Sequence, residues 1–384
     1  MQTPAQALDA LRALPCGARL LDVLGRHDGA WVVGGSVRDA LLGRFGPASV
    51  VDLDVVVEGD PAPVAEALGE VVAFHERFGT YLVVADDCCY DVVRARAERY
   101  AMPGALPDVV PSGLEDDLLR RDFTVNALAL NAAGVLHAAP AALEDLEAGR
   151  LRVLHALSFR DDPTRLWRLV RYAVRLGFVP EPGTERVAVE AVRAGALETV
   201  SGDRLGTELR LALGEPDPLA VLHAAQNLGI VDGLDLDPAL VGGALALLPA
   251  GARADLTLLG ATIPEGAWAE RYGFPAAEQR ILDRCAALAP VLPGAPPSEV
   301  VARLRGEPVE AVAVAGAKGD AETAGLYLHV WRHVALEIDG NDLIAAGIAP
   351  GPDLGRRLAF ALARRLDGEL APGPEAELAA ALSA

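Results

Sequence analysis

The strand-forming segments of this chain are confined to its first part, which limits the folds that it can adopt. The apolar and β-branched runs AWVV, VVDLDVVVE, TYLVVAD and YDVVRAR all lie before about residue 145. Runs of this kind predict strands. The remaining sequence is rich in Ala, Leu and Arg and is broken by Pro–Gly clusters, which predicts helices joined by turns. We therefore expect an α+β protein with a small N-terminal sheet, flanked by helices, and an all-helical remainder. The first 25 residues are expected to form one amphipathic helix.

Composition sets the broad class. Hydrophobic residues make up 52% of the 384 residues, but no apolar run approaches the roughly 18 residues of a membrane span. The N-terminal sequence has no basic region followed by a long apolar one, so it is not expected to be a signal peptide. The four cysteines, Cys16, Cys88, Cys89 and Cys285, form no CxxC pair. The sequence therefore predicts neither a zinc site nor a disulfide framework, and it favours a reduced cytoplasmic setting.

The formal net charge of −20 argues against a general nucleic-acid binder. Net charge averages over the whole surface, whereas binding depends on local charge. Nearly all basic residues are arginines, and Lys318 is the only lysine. An RNA partner would require a local arginine track on an acidic protein.

A glycine pair lies where a predicted strand meets a predicted helix. Residues 31–44 read WVVGGSVRDALLGR, so Gly34 and Gly35 allow close approach of the backbone to a ligand. A helix N-terminus that follows such a turn is suited to phosphate, and Arg38 in the first turn would hold the same group. The alternative is an ordinary strand–helix turn, because glycine pairs are common there.

Two carboxylates follow on the next strand. In VVDLDVVV, residues 50–57, Asp52 and Asp54 project from the same face because side chains alternate along a strand. Oxygen ligands of this kind suit Mg²⁺, whereas the alternative is a solvated edge strand. Asp91, in the second strand of a predicted hairpin with Asp86 and Asp87 at its turn, is a candidate third acid. An outward-facing residue is the alternative for Asp91.

An arginine-rich helix begins near residue 161. Asp161 and Asp162 are candidate N-terminal caps, with Pro163 in the first turn. Four arginines at spacings of three and four would share one face, which suits triphosphate or an RNA backbone: Arg165, Arg168, Arg171 and Arg175.

These motifs occur in an order that resembles a known superfamily. GGSVRDALLGR followed by DLD is similar to the signature of the DNA polymerase β nucleotidyltransferases, and within them to the class II tRNA nucleotidyltransferase and bacterial poly(A) polymerase branch. Three further segments resemble motifs of that branch: LLRRDFTVNALA at 118–129, FRDDPTRLWRLVRYAVRLGF at 159–178, and residues 338–370. We also expect RRDFTVNALA to begin a helix.

The resemblance implies a fold of four modules with a polymerase-β-type head. Their expected bounds are a catalytic head at 1–143, a helical neck for base selection at 144–210, a helical body at 211–290 and a helical, tRNA-binding tail at 291–384. It also implies that the loop at 96–112 is a mobile element that helps to switch from C to A. In the tail, the pairs Arg356–Arg357 and Arg364–Arg365 would lie on nearly one helix face and bind RNA backbone, or else form a solvated basic surface.

The resemblance further implies a protein template for the incoming base. Asp162 would accept a hydrogen bond from the exocyclic amine of cytosine or adenine, and Arg165 would donate to the adjacent ring atom. Asp161 stands where the branch usually has Glu. The other implied nucleotide contacts are made by Gly34, Gly35, Arg38, Arg121, Arg168 and Arg171.

The expected activity is template-independent addition of C and/or A, from CTP and ATP, to the 3′ end of tRNA. Asp52 and Asp54 would hold the Mg²⁺ ions, with Asp91 as a further catalytic acid. Addition of both nucleotides, of A alone and of CC alone are all open, and a poly(A) polymerase and a non-catalytic RNA-binding protein are the alternatives. The expected partners are tRNA, ATP and CTP, with no membrane and no protein partner.

Overall fold

The computed structural model describes residues 1–45, 53–86, 88–263 and 268–384. It divides into two compact units, which are described separately. The first unit contains Met1–Ser201 and Glu215–Ile230, and the second contains Gly202–Gly214 and Val231–Ala384. The four predicted modules are a finer division of the chain and stay a prediction.

The strands occupy the early part of the chain, as the sequence predicts. They are β1 (Ala30–Val33), β2 (Leu53–Val57), β3 (Glu70–His75), β4 (Thr80–Ala85), β5 (Cys88–Arg94), β6 (Arg96–Arg99), β7 (Asp108–Pro111), β8 (Leu128–Leu130), β9 (Leu136–Ala138), β10 (Arg150–Leu151) and β11 (Val179–Pro180). The last two pair as a short parallel ribbon beyond residue 145, where the sequence predicted only helix.

The helices follow the Ala/Leu periodicity. They are α1 (Pro4–Arg12), α2 (Gly17–Leu24), α3 (Gly35–Leu41), α4 (Ala62–Leu68), α5 (Leu114–Leu119), α6 (Ala142–Ala148), α7 (Ser158–Asp161), α8 (Arg165–Leu176), α9 (Pro182–Arg193), α10 (Gly202–Leu213), α11 (Pro218–Leu228), α12 (Pro238–Ala246), α13 (Ala254–Thr262), α14 (Trp268–Arg271), α15 (Ala276–Ala287), α16 (Pro297–Leu304), α17 (Val309–Ala317), α18 (Ala321–His329), α19 (Gly340–Ala345), α20 (Pro352–Leu366) and α21 (Pro374–Leu382). The expected α+β class is confirmed.

A seven-stranded sheet forms the centre of the first unit, in the order β3-β4-β5-β2-β1-β8-β9. Among the described strands of this sheet, the β2–β5 pair is parallel and the other neighbours are antiparallel. Side chains on β2 alternate, so Leu53 and Val55 are buried while Asp54 points to the opposite face. Asp54 is the half-buried position of this strand, whose other residues are buried.

The second unit is helical, and its C-terminal part has its own small core. Ile338, Leu343 and Ala361 are buried there. Glu377 is also fully buried; it accepts hydrogen bonds from the main-chain N–H of Glu337 and from Arg365. A buried carboxylate needs such partners, so this ion pair ties α20 and α21 to residues 337–338.

Two local expectations were wrong. The first 25 residues form two helices rather than one, because the chain turns between Leu14 and Gly17, where Pro15 cannot continue the hydrogen-bond ladder.

The segment RRDFTVNALA does not begin an α-helix. It forms a single 3₁₀ turn over Thr124–Asn126 and then enters strand β8 in the sheet core, where tertiary packing overrides local helix preference.

The expectation of four reduced cysteines was also wrong. Cys16 and Cys88 form a disulfide, because the turn before α2 lies against the start of β5. The Tyr90 hydroxyl, in the same strand, donates to the main-chain carbonyl of Cys16 at 3.0 Å. Cys89 is an exposed free thiol, and Cys285 is a buried one.

Among the described residues, no helix combines the length and the apolar character that a membrane span requires.

Candidate active site

The predicted phosphate turn lies between β1 and α3. Gly34 has φ 75° and ψ −135°, a conformation available essentially only to glycine. A Cβ atom at Gly34 would lie 3.0 Å from Nη1 of Arg121 and 3.7 Å from Oδ2 of Asp54. The turn, one arginine and one carboxylate therefore converge, although they are far apart in the sequence.

The parallel β2–β5 pair brings two of the predicted acids side by side. Asp54 and Asp91 are partners in register, so both project from the same face of the sheet. Asp91 is exposed and Asp54 is half-buried. Asp52 lies outside the described residues. Within those residues, no group of three potential metal ligands is present, and the metal-binding role of Asp52 and Asp54 stays a prediction.

Arg38 is buried inside the first unit. Its Nε and Nη2 donate to Asp39 at 2.9 and 2.8 Å, and Nη1 donates to Oδ1 of Asn126 at 2.5 Å. Its guanidinium also lies 5.7 Å from the ring centre of Tyr172. The side chain is held in one orientation next to Gly35, whose Cβ position lies 3.5 Å from Nη2.

Arg120 and Arg121 follow α5 and share one buried carboxylate. Asp117 is fully buried; it accepts from Nε and Nη2 of Arg120 at 2.9 and 2.7 Å and from Nη2 of Arg121 at 3.0 Å. Because three and four residues separate the partners, the helical turn itself brings them together. Nε of Arg121 is buried and has no hydrogen-bond partner among the described residues. Asp117 therefore orients Arg121 towards the glycine turn.

Asp122, which follows Arg121 in the chain, is also buried. Its carboxylate accepts from the main-chain N–H of Phe123 and from Asn126, and it lies 3.5 Å from Nη1 of Arg168. Burial acts to raise the pKa of Asp122, but the charge of Arg168 and the hydrogen bond from Asn126 outweigh burial and lower that pKa. Asp122 is therefore ionised at neutral pH and anchors Arg168.

The segment that is predicted to select the base folds differently from a simple capped helix. Asp161 ends α7, and α8 begins at Arg165 with Thr164 as its N-cap. Oδ1 of Asp162 accepts from the main-chain N–H of Thr164 at 3.2 Å and from its hydroxyl at 2.6 Å. Oδ2 of Asp162 lies 3.9 Å from Nε of Arg165. The predicted pair is thus close together.

Arg165 is only 4% exposed and is held at both terminal nitrogens. Nη1 donates to the Ser158 hydroxyl and Nη2 to the main-chain carbonyl of Arg120, both at 2.7 Å. Within the part of the chain that the structure describes, Nε is buried without a hydrogen-bond partner. The guanidinium of the predicted base reader is therefore fixed by the segment that also carries Arg121.

The arginine face of α8 is divided into two parts. Arg165 and Arg168 face Asp162 and Asp122. One turn further on, Arg171 donates from Nε to Glu215 at 3.0 Å and Arg175 lies 3.5 Å from the same carboxylate. The Glu215 carboxylate thus binds two of the four arginines on this helix face. Contact between Arg171 and a nucleotide stays a prediction.

The loop at 96–112 contains the β6–β7 hairpin. Beyond β6, the main-chain N–H of Gly104 donates to the carbonyl of Arg160 at 3.2 Å, one residue before Asp161. A Cβ at Gly104 would lie 2.1 Å from Oγ1 of Thr199, so only glycine allows this approach. Whether the loop switches nucleotide specificity stays a prediction.

Sequence reasoning missed several residues that organise the site. Asn126 and Glu215 gave no local signal, because their partners are 88 and 44 residues away. Glu98 lies in the loop at 96–112, and its ion pair with Arg120 at 2.8 Å joins residues that are 22 positions apart. Asp117, by contrast, lies four residues before Arg121, a helical spacing that is visible in the sequence.

The glycine turn, the paired carboxylates and the arginines around them define a nucleotidyltransferase head. In agreement, residues 30–152 match the poly A polymerase head domain family. A CC-adding tRNA nucleotidyltransferase of Deinococcus radiodurans is 33% identical, over 94% of this chain and 96% of that protein. A solved CCA-adding enzyme in its apo form superposes with a TM-score of 0.78 at 30% identity, covering 95% of this chain and 94% of that one. The chain therefore belongs to the tRNA nucleotidyltransferase family.

One relative is much longer than this chain. An A-adding tRNA nucleotidyltransferase of Geobacter sulfurreducens is 34% identical over 89% of this chain, but the match covers only 43% of that protein. This chain thus spans less than half the length of that A-adding relative.

Proposed function

We propose that this chain adds C and/or A residues, from CTP and ATP, to the 3′ end of tRNA without a nucleic-acid template. The observation that carries the proposal is the junction at Arg120 and Arg121. The Arg121 side chain faces Gly34 and Asp54, while the Arg120 carbonyl holds Arg165 beside Asp162. Consecutive residues would thus connect the proposed triphosphate site to the proposed base-reading pair, which supports nucleotide selection by protein alone.

The carboxylates suit a divalent cation. Asp54 and Asp91 present hard oxygen ligands on one face. Asp52, the other acid of the predicted pair, lies outside the described residues. We propose Mg²⁺ at Asp52 and Asp54, with Asp91 beside it. When bound, the cation would favour deprotonation of the RNA 3′-hydroxyl and neutralise charge on the triphosphate.

The protein residues then have separate tasks in the transfer. Arg38 and Arg121 would orient the triphosphate so that the 3′-hydroxyl attacks the α-phosphorus and pyrophosphate leaves in line. Asp162 and Arg165 would present an acceptor next to a donor. Cytosine and adenine offer the complementary order, whereas uracil and guanine place an acceptor against the Asp162 carboxylate.

We place this activity in the cytoplasm, where tRNA is matured. The family relationship to tRNA-processing proteins supports that location, whereas the Cys16–Cys88 disulfide is unusual for a reducing compartment.

The experiment that tests the proposal uses three tRNA transcripts, ending before CCA, after C and after CC. Each is incubated with the purified protein, Mg²⁺ and CTP, ATP, UTP or GTP, singly and with CTP and ATP together. Extension by C only, by A only or by CCA identifies the type of tRNA nucleotidyltransferase. An unstructured RNA primer serves as the control. If this primer gains a long A tail and the transcripts are not extended, the protein is a poly(A) polymerase, and if no RNA is extended the proposed activity is refuted.

A further inference from the structure

The β3–β4 hairpin carries two aromatic rings on the face of the sheet opposite to Asp91. Phe74 and Tyr81 are cross-strand partners, and Tyr81 is paired in turn with Val92, which follows Asp91 in β5. Because side chains alternate along a strand, both rings lie on the other face from Asp91. The ring centres are 4.5 Å apart, and Phe74 is 50% exposed. An exposed ring that is held by a second ring offers a surface on which another planar group can stack.

A cavity of about 280 Å³ adjoins these rings. It lies between the hairpin, the residue before α4 and strand β7, and its lining includes Pro61, Phe78 and Val110. Its volume is close to the lower end of the roughly 300–1,000 Å³ that ligand pockets occupy. The cavity therefore has the size for one small ligand.

The cavity is rich in positive charge. Three arginines and one carboxylate contribute to its lining, namely Arg77, Arg94, Arg96 and Glu76. The guanidinium groups of Arg77 and Arg96 lie 5.5 and 5.3 Å from the ring centre of Phe78. A guanidinium that contacts a ring through its flat face can still donate from its edge to an anion. The lining thus combines aromatic surface with donors for a negatively charged group.

Two of the three arginines can turn to an external anion. Arg94 is 40% exposed and lies 3.8 Å from Asp60, which is itself 65% exposed, so this ion pair is screened by solvent and weak. Arg77 is exposed, and its Nη2 donates to the carbonyl of Pro107 at 3.4 Å, longer than the usual range for such a bond. The third arginine is bonded within the protein.

The edge of β3 does not suit the addition of a strand from another chain. The register of β3 against β4 shifts between Val71 and Ala73, which places an irregularity on this edge strand. Bulges on edge strands oppose edge-to-edge pairing. The exposed ring of Phe74 therefore favours a small planar ligand as the occupant.

We propose that this cavity is a second nucleotide site, in which the base stacks on Phe74 and the phosphate is bound by Arg77 and Arg94. Stacking tolerates any base, since every base has a π-face, and guanidinium groups match the geometry of phosphate. The ligand is a nucleotide of any base, either free or part of an RNA chain. This site goes beyond the proposed function, because it lies on the sheet face opposite to Asp91 and uses none of the residues proposed for catalysis or base reading.

The test uses uridine ligands, because the proposed base-reading pair rejects uracil. The affinity for UMP is measured by calorimetry, and that for a 5′-labelled uridine pentanucleotide by fluorescence anisotropy. Both are measured for the full wild-type chain, Phe74→Ala and Arg77→Ala. We expect Phe74→Ala to weaken binding about tenfold, since a stacked base is lost. Arg77→Ala should weaken binding and make its salt dependence shallower, since a phosphate contact is lost.

Two control variants remove similar side chains elsewhere in the same unit. Val72→Ala shortens an apolar side chain that is 51% exposed on the same strand and is not part of the cavity lining. Arg19→Ala removes an arginine that is 46% exposed. Both controls should bind the two uridine ligands as the wild-type chain does. If Phe74→Ala lowers the thermal midpoint, Phe74→Leu repeats the comparison with the ring removed and an apolar side chain kept.

The two ligands identify the source of the nucleotide. Similar affinities for UMP and the pentanucleotide assign the site to free nucleotides, whereas binding of the pentanucleotide alone assigns it to RNA. The proposal is overturned if neither ligand binds at millimolar concentration, or if Phe74→Ala and Arg77→Ala bind as well as their controls. Failure of the proposed function would be seen separately, in the transcript assay with CTP and ATP.

Discussion

Gly34 and Arg121 approach each other so closely that a Cβ atom on the glycine would lie 3.0 Å from Nη1 of the arginine. The backbone conformation of Gly34 is itself unfavourable for any other residue, by about 1–3 kcal/mol. Gly34→Ala should therefore displace Arg121 as well as strain the turn. We expect nucleotide incorporation to fall by more than the strain alone explains, with a weaker affinity for every triphosphate.

Gly177→Ala is the matched control for that variant. Gly177 also has a positive φ, 67°, but no atom of the described residues lies within 4 Å of its Cβ position. It should lower the thermal midpoint without changing triphosphate affinity. Equal affinities for Gly34→Ala and Gly177→Ala would show that the contact with Arg121 is unimportant.

The parallel pairing of Asp54 and Asp91 leads to a prediction about catalysis. Asp54→Ala should abolish incorporation, and Asp91→Ala should reduce it strongly, while circular dichroism stays unchanged because both side chains project away from the buried apolar face. The same loss is expected for Asp52→Ala. Glu70→Ala, an exposed carboxylate at the edge of the same sheet, is the control. Near-normal turnover in Asp54→Ala would remove Asp54 from the metal site.

The tail arginines differ in how far they are available to RNA. Arg356 is 66% exposed, whereas Arg365 is bonded to the fully buried Glu377. If the tail binds RNA backbone, the double variant Arg356→Ala/Arg364→Ala should weaken tRNA binding. The slope of log K against log salt should become shallower by up to about 0.9 per lost phosphate contact. Filter binding at four salt concentrations measures this slope.

Arg365→Ala is expected to act on stability instead. It would leave the Glu377 carboxylate buried without its charge partner, at a cost of a few kcal/mol, and the thermal midpoint should fall. An unchanged salt slope in Arg356→Ala/Arg364→Ala would assign the RNA contact to another surface.

The four cysteines should differ in reactivity. Cys89 is exposed and should be alkylated by iodoacetamide in the native protein. Burial raises the pKa of Cys285 to about 12, so at pH 8 it stays a protonated thiol and should react only after unfolding. Cys16 and Cys88 should become reactive only after reduction, and reduction should lower the thermal midpoint because an internal cross-link is lost. Peptide mass spectrometry counts the labels, and labelling of Cys16 in native, unreduced protein would contradict the disulfide.

The sequence predicted the elements of the site better than their connections. The strand carrying Asp54 and the hairpin carrying Asp91 were recognisable from β-branched runs and turn residues, and the glycine turn from its position between a strand and a helix. The convergence of Gly34 and Asp54 on Arg121 was not recognisable, because it depends on sheet order, which brings β2 next to β5 and β1. The same limit applies to Glu98, whose partner Arg120 is 22 residues away.

Local patterns also failed where one charge had more than one possible partner. Four arginines at helical spacing on α8 predicted a single anion-binding face, but Glu215 from the segment before α11 binds two of them. No periodicity within α8 indicates this. Similarly, Cys88 and Cys89 gave no signal for a disulfide, since pairing depends on how the turn before α2 packs against β5.

Measuring base selection tests the predicted roles of Asp162 and Arg165 directly. Asp162→Ala should remove the acceptor for the exocyclic amine, so discrimination against UTP and GTP should fall by about 1–3 kcal/mol, the usual value of a base-edge contact. Because Asp162 also accepts two hydrogen bonds from Thr164, this variant should lose about 1 kcal/mol of stability as well. Arg165→Ala should show a similar loss of selectivity. Triphosphate affinity should change less in both variants, since Arg38 and Arg121 are held by Asp39 and Asp117 and not by the base-reading pair.

Thr164→Ala is the control that separates these two effects of Asp162. It removes the hydroxyl that donates to Asp162 but leaves the carboxylate in place, so stability should fall while the preference for C or A is retained. The measurement is kcat/KM for each of the four nucleotides on a matched transcript, together with the thermal midpoint. If Asp162→Ala and Arg165→Ala slow all four nucleotides equally, the pair supports the start of α8 without reading the base. Selectivity would then lie in another part of the site, of which the hairpin at 96–112 is the nearest candidate.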